Sequence, residues 1–264
     1  MNMFGALIFA LNEAKFIGYV LRSYLASPLV KVIVVVEGCV ALNAHAANEY
    51  GLSKDGMADV IGAVMADDDR IVYERYGWAE NKAELRTRCI RLCEEWCPSV
   101  AYYLQTDGDE IITPDDLKAL KAEIDKHQPD MILFKYWHFW KRPDLVAVGS
   151  LWDAYIPRCY KNHGMGMYFT NHAGGPRRPG GFHLKSQFNS SVRVYHYGPM
   201  KDRQDVMDKL EFYRKRDNLG LDTWTDWKPG RPTHWTHSGG GAIKFAGQHP
   251  PAIAGDVWDL VPKR

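Results

Sequence analysis

Ala101-Tyr-Tyr-Leu-Gln-Thr106 runs directly into Asp107-Gly108-Asp109-Glu110, and Thr113-Pro114-Asp115-Asp116 follows two residues later. The first six residues read as a β-strand. Thr113 suits an N-cap, Pro114 the first helical position and Asp116 the third, and Leu117, Leu120 and Ile124 then recur at helical spacing. The acidic residues therefore occupy a strand-to-helix loop, the edge of an open α/β sheet where ligands bind. Carboxylates on either side of a glycine there form a hard-oxygen cradle suited to Mg²⁺ or Mn²⁺. Asp and Gly are also common turn residues, so the tetrapeptide by itself leaves an ordinary loop equally open. An EF-hand does not fit, because the glycine stands second rather than sixth and no ladder of alternating ligands follows.

The pattern upstream repeats. Gly5 to Leu11 is a buried-strand run, Asn12 is placed to cap a helix, and Ile17, Val20, Leu21, Tyr24 and Leu25 share one helical face. Lys31 to Val36 is a β-branched strand ending at Glu37-Gly38. A loop-rich, partly helical stretch leads to a strand from Arg70 to Tyr76 and a helix from about Glu80 to Trp96. Strand and helix alternate four times before residue 128, which predicts a mostly parallel sheet with helices on both faces. Met131 to Trp140 is a fifth, aromatic strand.

At 264 residues and 46% hydrophobic, the chain can bury one substantial core. A net charge of +1 argues against attraction of the whole protein to nucleic acid or membrane. No apolar run approaches the roughly 18 residues of a membrane span, and the N-terminus reads as a strand rather than a signal peptide. The five cysteines form no metal-type pair. Cys89 and Cys93 share an apolar helical face with Leu85, Leu92 and Trp96, so buried thiols in a reducing cytoplasm are expected.

Several blocks together resemble a family 2 glycosyltransferase of the GT-A fold. They are Asn12-Glu13 with the helix that follows, the strand ending at Glu37, Asp107-Gly-Asp109-Glu110, Val194-Tyr-His196-Tyr-Gly-Pro-Met-Lys201-Asp202, and Lys244-Phe-Ala-Gly-Gln-His249-Pro250. The likeness covers residues 4 to 125 and recurs at 192 to 216 and 243 to 253. It implies a single GT-A-like (Rossmann-like) domain over 1–264. Within it, 1–128 would bind the nucleotide sugar, 129–220 would face the acceptor, and 221–264 would be a Trp, Pro and Gly-rich tail. It also implies a UDP- or GDP-sugar donor with Mn²⁺ or Mg²⁺ held by Asp107, Asp109 and His196, where Asp107 also lies near the ribose. Lys201 would touch the diphosphate. Asn12, Glu13, Glu37 and Lys82 fall at donor-site positions, with Arg86 close by, and Glu37 stands where relatives carry an aspartate.

Two classes compete with this one: a nucleotidyltransferase, which normally has a Gly-rich basic loop where this chain has Asn12-Glu13-Ala14-Lys15, and a non-catalytic nucleotide or glycan binder. Ala154 to Lys201 holds no Asp or Glu but carries Arg158, Lys161, Arg177, Arg178, Lys185, Arg193 and Lys201. Such a stretch reads either as a solvated loop or as a grip for an anionic acceptor: an acidic glycan, a phosphorylated molecule or nucleic acid. The tail, with Trp224, Trp227, Trp235 and Trp258, reads as packing over the sheet or as a lid on which a sugar stacks. The resemblance also implies inversion, which needs a base. With no carboxylate between 154 and 201, the candidates are Asp144, Asp153 and His172. Asp153 is preferred because Trp152 and Tyr155 flank it with apolar surface; retention would need no protein base.

Overall fold

The computed structural model describes residues 3–149, 152–170, 175–200 and 241–261. The first half is built by strands apolar on both faces. Strand β1 (Phe4–Ala10) turns Phe4, Ala6 and Ile8 one way and Leu7 the other, and β2 (Val30–Val40) splits Ile33 and Val35 from Val32, Val34 and Val36 in the same manner. Such strands need a helical layer on each side. Helices α1 (Ala14–Leu25) and α2 (Met57–Met65) cover one face with Phe16, Ile17, Val20, Leu21 and Ile61. After β3 (Ile71–Ala79), α3 (Lys82–Trp96) covers the other with Leu85, Cys89, Ile90 and Cys93. Helix and sheet are so close here that a Cβ on Gly5 would stand 2.5 Å from Cys93 Sγ. Burial pushes the Cys89 and Cys93 thiols up, as inert packing groups require.

Next come β4 (Tyr102–Thr106), the two-residue β5 (Glu110–Ile111), α4 (Pro114–His127) and β6 (Met131–His138). Strands β7 (Leu145–Val148), β8 (Ile156–Lys161), β9 (Gln187–His196) and β10 (Gly241–Lys244) complete the set. The main sheet has the order β3-β2-β1-β4-β8-β6-β9-β5, and β10 pairs with β7 in a separate antiparallel ribbon. Strands β3, β2, β1 and β4 are parallel, as are β6 and β9, whereas β8 and β5 pair antiparallel. This is the expected α/β class, with a mostly parallel sheet and helices on both faces. Because β1 lies between β2 and β4, the crevice of the fold opens beyond the carboxyl ends of β1 and β4. No helix among the described residues is long and apolar enough to cross a membrane.

Helix α4 starts as predicted, with Thr113 and Asp116 in a capping box and Pro114 in the first turn. Helix α1 does not. Asn12 has a left-handed φ of 56°, and its amide donates to the Ala46 carbonyl at 2.6 Å while accepting from Lys54 N–H at 2.9 Å. The donor at the helix start is served instead by Asp55, whose Oδ2 accepts from Ala14 N–H at 2.8 Å. Asn12 therefore staples a loop rather than capping a helix. Strand β2 also continues to Val40 instead of ending at Glu37-Gly38. Asp202, the last residue of the block that begins at Val194, lies outside the described residues.

Asp130 fastens the antiparallel half. Its Oδ2 accepts from Lys185 N–H at 2.8 Å, its Oδ1 lies 3.0 Å from His163 Nε2 and 3.5 Å from the Arg178 guanidinium, and its carbonyl accepts from Lys161 N–H. Burial works to raise this carboxyl, but the Lys185 amide, His163 and Arg178 outweigh it and hold the group below the usual range. A depressed carboxyl contributes stability above its unfolded value and loses it as pH falls through the folded one. Asp130→Asn should therefore lower unfolding free energy by about 1–3 kcal/mol at pH 7. In urea titrations the gap between parent and variant should shrink as pH drops below about 4. A gap that does not change with pH would remove the charged clasp.

Candidate active site

The crevice collects acids from β4 and β5 and bases from β6, β8 and β9. Asp109 is 1% exposed, and its carbonyl accepts from Tyr197 N–H at 2.9 Å, which draws the acidic turn against the end of β9. Its Oδ1 lies 3.6 Å from His196 Nε2. Between them stands Gly198: a Cβ there would come within 2.5 Å of Asp109 Oδ2 and 2.6 Å of His196 Nε2. A small space bounded by carboxylate oxygen and imidazole nitrogen is thus kept open by a missing side chain. Gly108 does similar duty on the other side, where a Cβ would meet Glu13 Cγ at 2.8 Å. Glu13, the residue before α1, is 9% exposed and packs directly against the acidic turn.

Asp107 turns elsewhere. Its Oδ2 lies 3.4 Å from the Arg158 guanidinium, which also reaches Glu110 at 3.0 Å, while Arg158 Nε donates to Tyr136 Oη at 2.8 Å. Burial works against the charge on Arg158, but Glu110, Tyr136 and Asp107 outweigh it and hold the guanidinium well above its ordinary value. Burial in turn pushes the Glu110 carboxyl up to about 7 against the pull of Arg158. The expected three-residue metal cluster is not formed: among the described residues no three His, Cys, Asp or Glu side chains are gathered for a metal ion. Asp109 and His196 come together, and Asp107 joins the ion network beside them. A site with only one or two protein ligands suits a cation that completes its shell with water and phosphate oxygens. One carboxylate and one imidazole together are compatible with Mn²⁺ among other divalent cations.

The remaining expected residues fall into two groups. Lys82 lies 5.9 Å from the centre of the Phe9 ring at the end of β1, and Arg86, 7% exposed, stands over both Phe9 and Phe169. Burial and the charge of Arg158 lower Arg86, and Asp107 raises it, which places all three in one electrostatic neighbourhood. Glu37, 1% exposed, accepts from Ser53 N–H at 2.6 Å and from Tyr73 Oη, with Arg75 at 3.6 Å. Asn12 N–H donates to the same Ser53 at 3.0 Å. Asn12 and Glu37 thus share the task of holding the loop above β2. Lys201 and His172 lie outside the described residues, as do Trp224, Trp227 and Trp235.

Asp153 is not in the apolar setting expected of it. Its side chain is 62% exposed and pairs with Lys135 at 3.2 Å, although its neighbour Trp152 packs edge-on against His138 with ring centres 4.9 Å apart. The basic segment is not a continuous anion surface either. Arg158 and Arg178 turn inward to acids, and Arg193 stacks 4.2 Å above the Trp137 ring. Nothing in the sequence marked His138, Tyr136 or Gly198 as site residues. Glu110 stood out only as part of the acidic turn, and Arg158 only as one of the bases of the segment from Ala154 to Lys201.

No protein-family model matches the chain, and no curated protein matches it. Among solved structures it is similar to S. aureus TarS 1-349, at 14% identity and a TM-score of 0.47 over 89% of this chain and 78% of that one. It is similar to the complex of that protein with UDP-GlcNAc at 19% identity and a TM-score of 0.40, over 52% of this chain and 35% of that one. A third is a 4-diphosphocytidyl-2C-methyl-D-erythritol synthase from Anaerococcus prevotii, at 13% identity and a TM-score of 0.36 over 61% and 70%. The chain spans about a third of the length of the TarS complexes, 35% with UDP-GlcNAc and 36% with UDP. Likeness at this level fixes no activity.

The geometry around Gly198 can be tested without removing either donor. Gly198→Ala should place its methyl between Asp109 and His196 and abolish any rise in melting temperature that a nucleoside diphosphate gives with Mn²⁺. The overpacking itself should cost about 1–3 kcal/mol. A variant that keeps the Mn²⁺-dependent rise would show that the space between the two donors is not the cation site.

Proposed function

We propose that this chain is a glycosyltransferase of GT-A type that moves a sugar, with inversion, from a divalent-metal-bound UDP- or GDP-sugar to an acceptor hydroxyl. The observation that carries it is the buried Asp109 and the facing His196, set around a space held open by Gly198 at the carboxyl end of β4. Asp109 and His196 would hold the cation. When bound, it would neutralise charge developing on the departing diphosphate.

The chain's own groups then divide the work. Arg158 keeps Asp107 and Glu110 in place. Lys82 and Arg86, beside Phe9, add positive potential at the end of β1. The acceptor oxygen forms a bond to the anomeric carbon while the bond from that carbon to the diphosphate oxygen breaks, and the electron pair leaves with the nucleoside diphosphate. The hydroxyl proton goes to a base, for which Asp153 stands one residue from the Trp152 that packs on His138.

Two measurements test this. A panel of sugar nucleotides with Mn²⁺, with and without acceptors, should yield nucleoside diphosphate and sugar transfer or hydrolysis by mass spectrometry. Pyrophosphate release would make the chain a nucleotidyltransferase, and metal-dependent binding without turnover would make it a binder. Nucleoside diphosphate at ~100 times Kd should add about 2.7 kcal/mol of stability only with the metal, and Asp109→Ala should remove that linkage while leaving a folded protein.

The base has its own test. Asp153→Asn should cut turnover by ~10²-fold or more with nucleotide affinity unchanged, and NMR of the product should show an inverted anomeric centre. Normal turnover in the variant, or a retained centre, rules Asp153 out.

A further inference from the structure

His138 is absent from the motifs of the sequence, yet its Nδ1 lies 2.7 Å from Nδ1 of His196. The backbone delivers the two rings together. His138 and His196 are register partners in the parallel β6–β9 pair, and Phe139 N–H donates to the His196 carbonyl at 2.9 Å. A slip of one residue would turn one ring to the opposite face. His138 is itself held between a stacked Tyr136, with ring centres 5.1 Å apart, and the edge-on Trp152.

A separation of 2.7 Å between two ring nitrogens is a hydrogen bond, and it takes one proton: one ring donates and the other accepts. The contact of His196 Nε2 with Asp109 Oδ1, at 3.6 Å, is too long to be one. The hydrogen bond at Nδ1 ties the tautomer of His196 to that of His138. To ligate through Nε2, His196 must carry its proton on Nδ1, and that proton then needs an acceptor.

We propose that His138 is the positioning residue that accepts from His196 Nδ1–H and so turns the Nε2 lone pair of His196 toward Asp109. The proposal rests on the metal site suggested above. In this arrangement His138 is neutral, with its own proton on Nε2. Partners of this kind fix both the ring angle and the protonation of a ligating histidine, and their loss weakens metal binding about 10–100-fold.

The test uses the full chain and Mn²⁺ alone, with free Mn²⁺ read by electron paramagnetic resonance. Asp109→Ala should lose specific binding. His138→Phe, which keeps the stacking volume but no acceptor, should raise Kd at least tenfold. His138→Asn, whose amide oxygen can stand near the place of Nδ1, should stay within about threefold of the parent. Long-range ¹⁵N–¹H spectra of the parent with diamagnetic Zn²⁺ should show His196 protonated on Nδ1, a readout that needs no variant to fold.

Parent-like binding by His138→Phe, equal losses in His138→Phe and His138→Asn, or His196 protonated on Nε2 in the Zn²⁺ form would each overturn the role of His138. Parent-like binding by Asp109→Ala would instead overturn the metal site itself.

Discussion

One buried cation holds the acidic turn in place. Arg158 rises from β8, an antiparallel strand inserted between β4 and β6, and it reaches Asp107, Glu110 and the Tyr136 hydroxyl at once. Those partners sit on separate elements: the loop after β4, the short strand β5 and strand β6. Removing one member of a buried ion pair costs about 3–5 kcal/mol, because the other is left uncompensated. That is a large share of the ~5–15 kcal/mol that keeps a domain folded. The parallel and the antiparallel halves of the sheet are thus joined through the same side chain that orders the candidate site.

The site is precise because backbone register, not loop shape, sets most of it. Strand β5 has only two residues, but it pairs Glu110 with His196 and Ile111 with Tyr195. Strand β6 sets His138 beside His196 from the other flank. The end of β9 is therefore pinned from both sides, and Asp109 is drawn to it by the Tyr197 amide. Loops contribute where β1 and β2 end. There Asn12, Ser53 and Glu37 form a compact polar joint whose hydrogen bonds are made within the protein. A carboxylate that accepts from a backbone amide and a tyrosine hydroxyl has already spent much of its capacity to read a ligand.

Residues 4 to 127 were largely legible in the sequence because their strands are short, continuous apolar runs and their helices have a period of 3.6, and Thr113-Pro114 announces the helix after the acidic turn. The antiparallel half was not. Strand β8 is Ile-Pro-Arg-Cys-Tyr-Lys, a short mixed string with a proline and two bases and no clean alternation, and its arginine reads as surface charge until the acids from β4 and β5 arrive around it. Arg178 misleads in the same way, since its partner Asp130 lies 48 residues upstream and pairing across that distance leaves no local trace. His138 hides in an aromatic strand whose alternate residues are buried, where a histidine looks like core. Asp109 and His196 could be linked only through a resemblance, since nothing in their spacing requires them to meet.

The charge pattern of the crevice follows from these placements. Two largely buried guanidiniums, Arg86 and Arg158, face three carboxylates, those of Asp107, Asp109 and Glu110. With every group ionised, the cluster falls one positive charge short of neutrality. The strain shows at Glu110, whose carboxyl burial pushes toward neutral pH even with a guanidinium 3.0 Å away. Repulsion between like charges in a low-dielectric setting falls when a cation enters. Arg86 and Arg158 alone would repel each other, as the lowering of Arg86 by Arg158 shows, and Asp107 lies in the electrostatic reach of both. The acids of the turn are therefore flanked by fixed cations on two sides, Arg86 beside Phe9 of β1 and Arg158 from β8. In the function proposed above, that arrangement would receive a divalent cation and a diphosphate together.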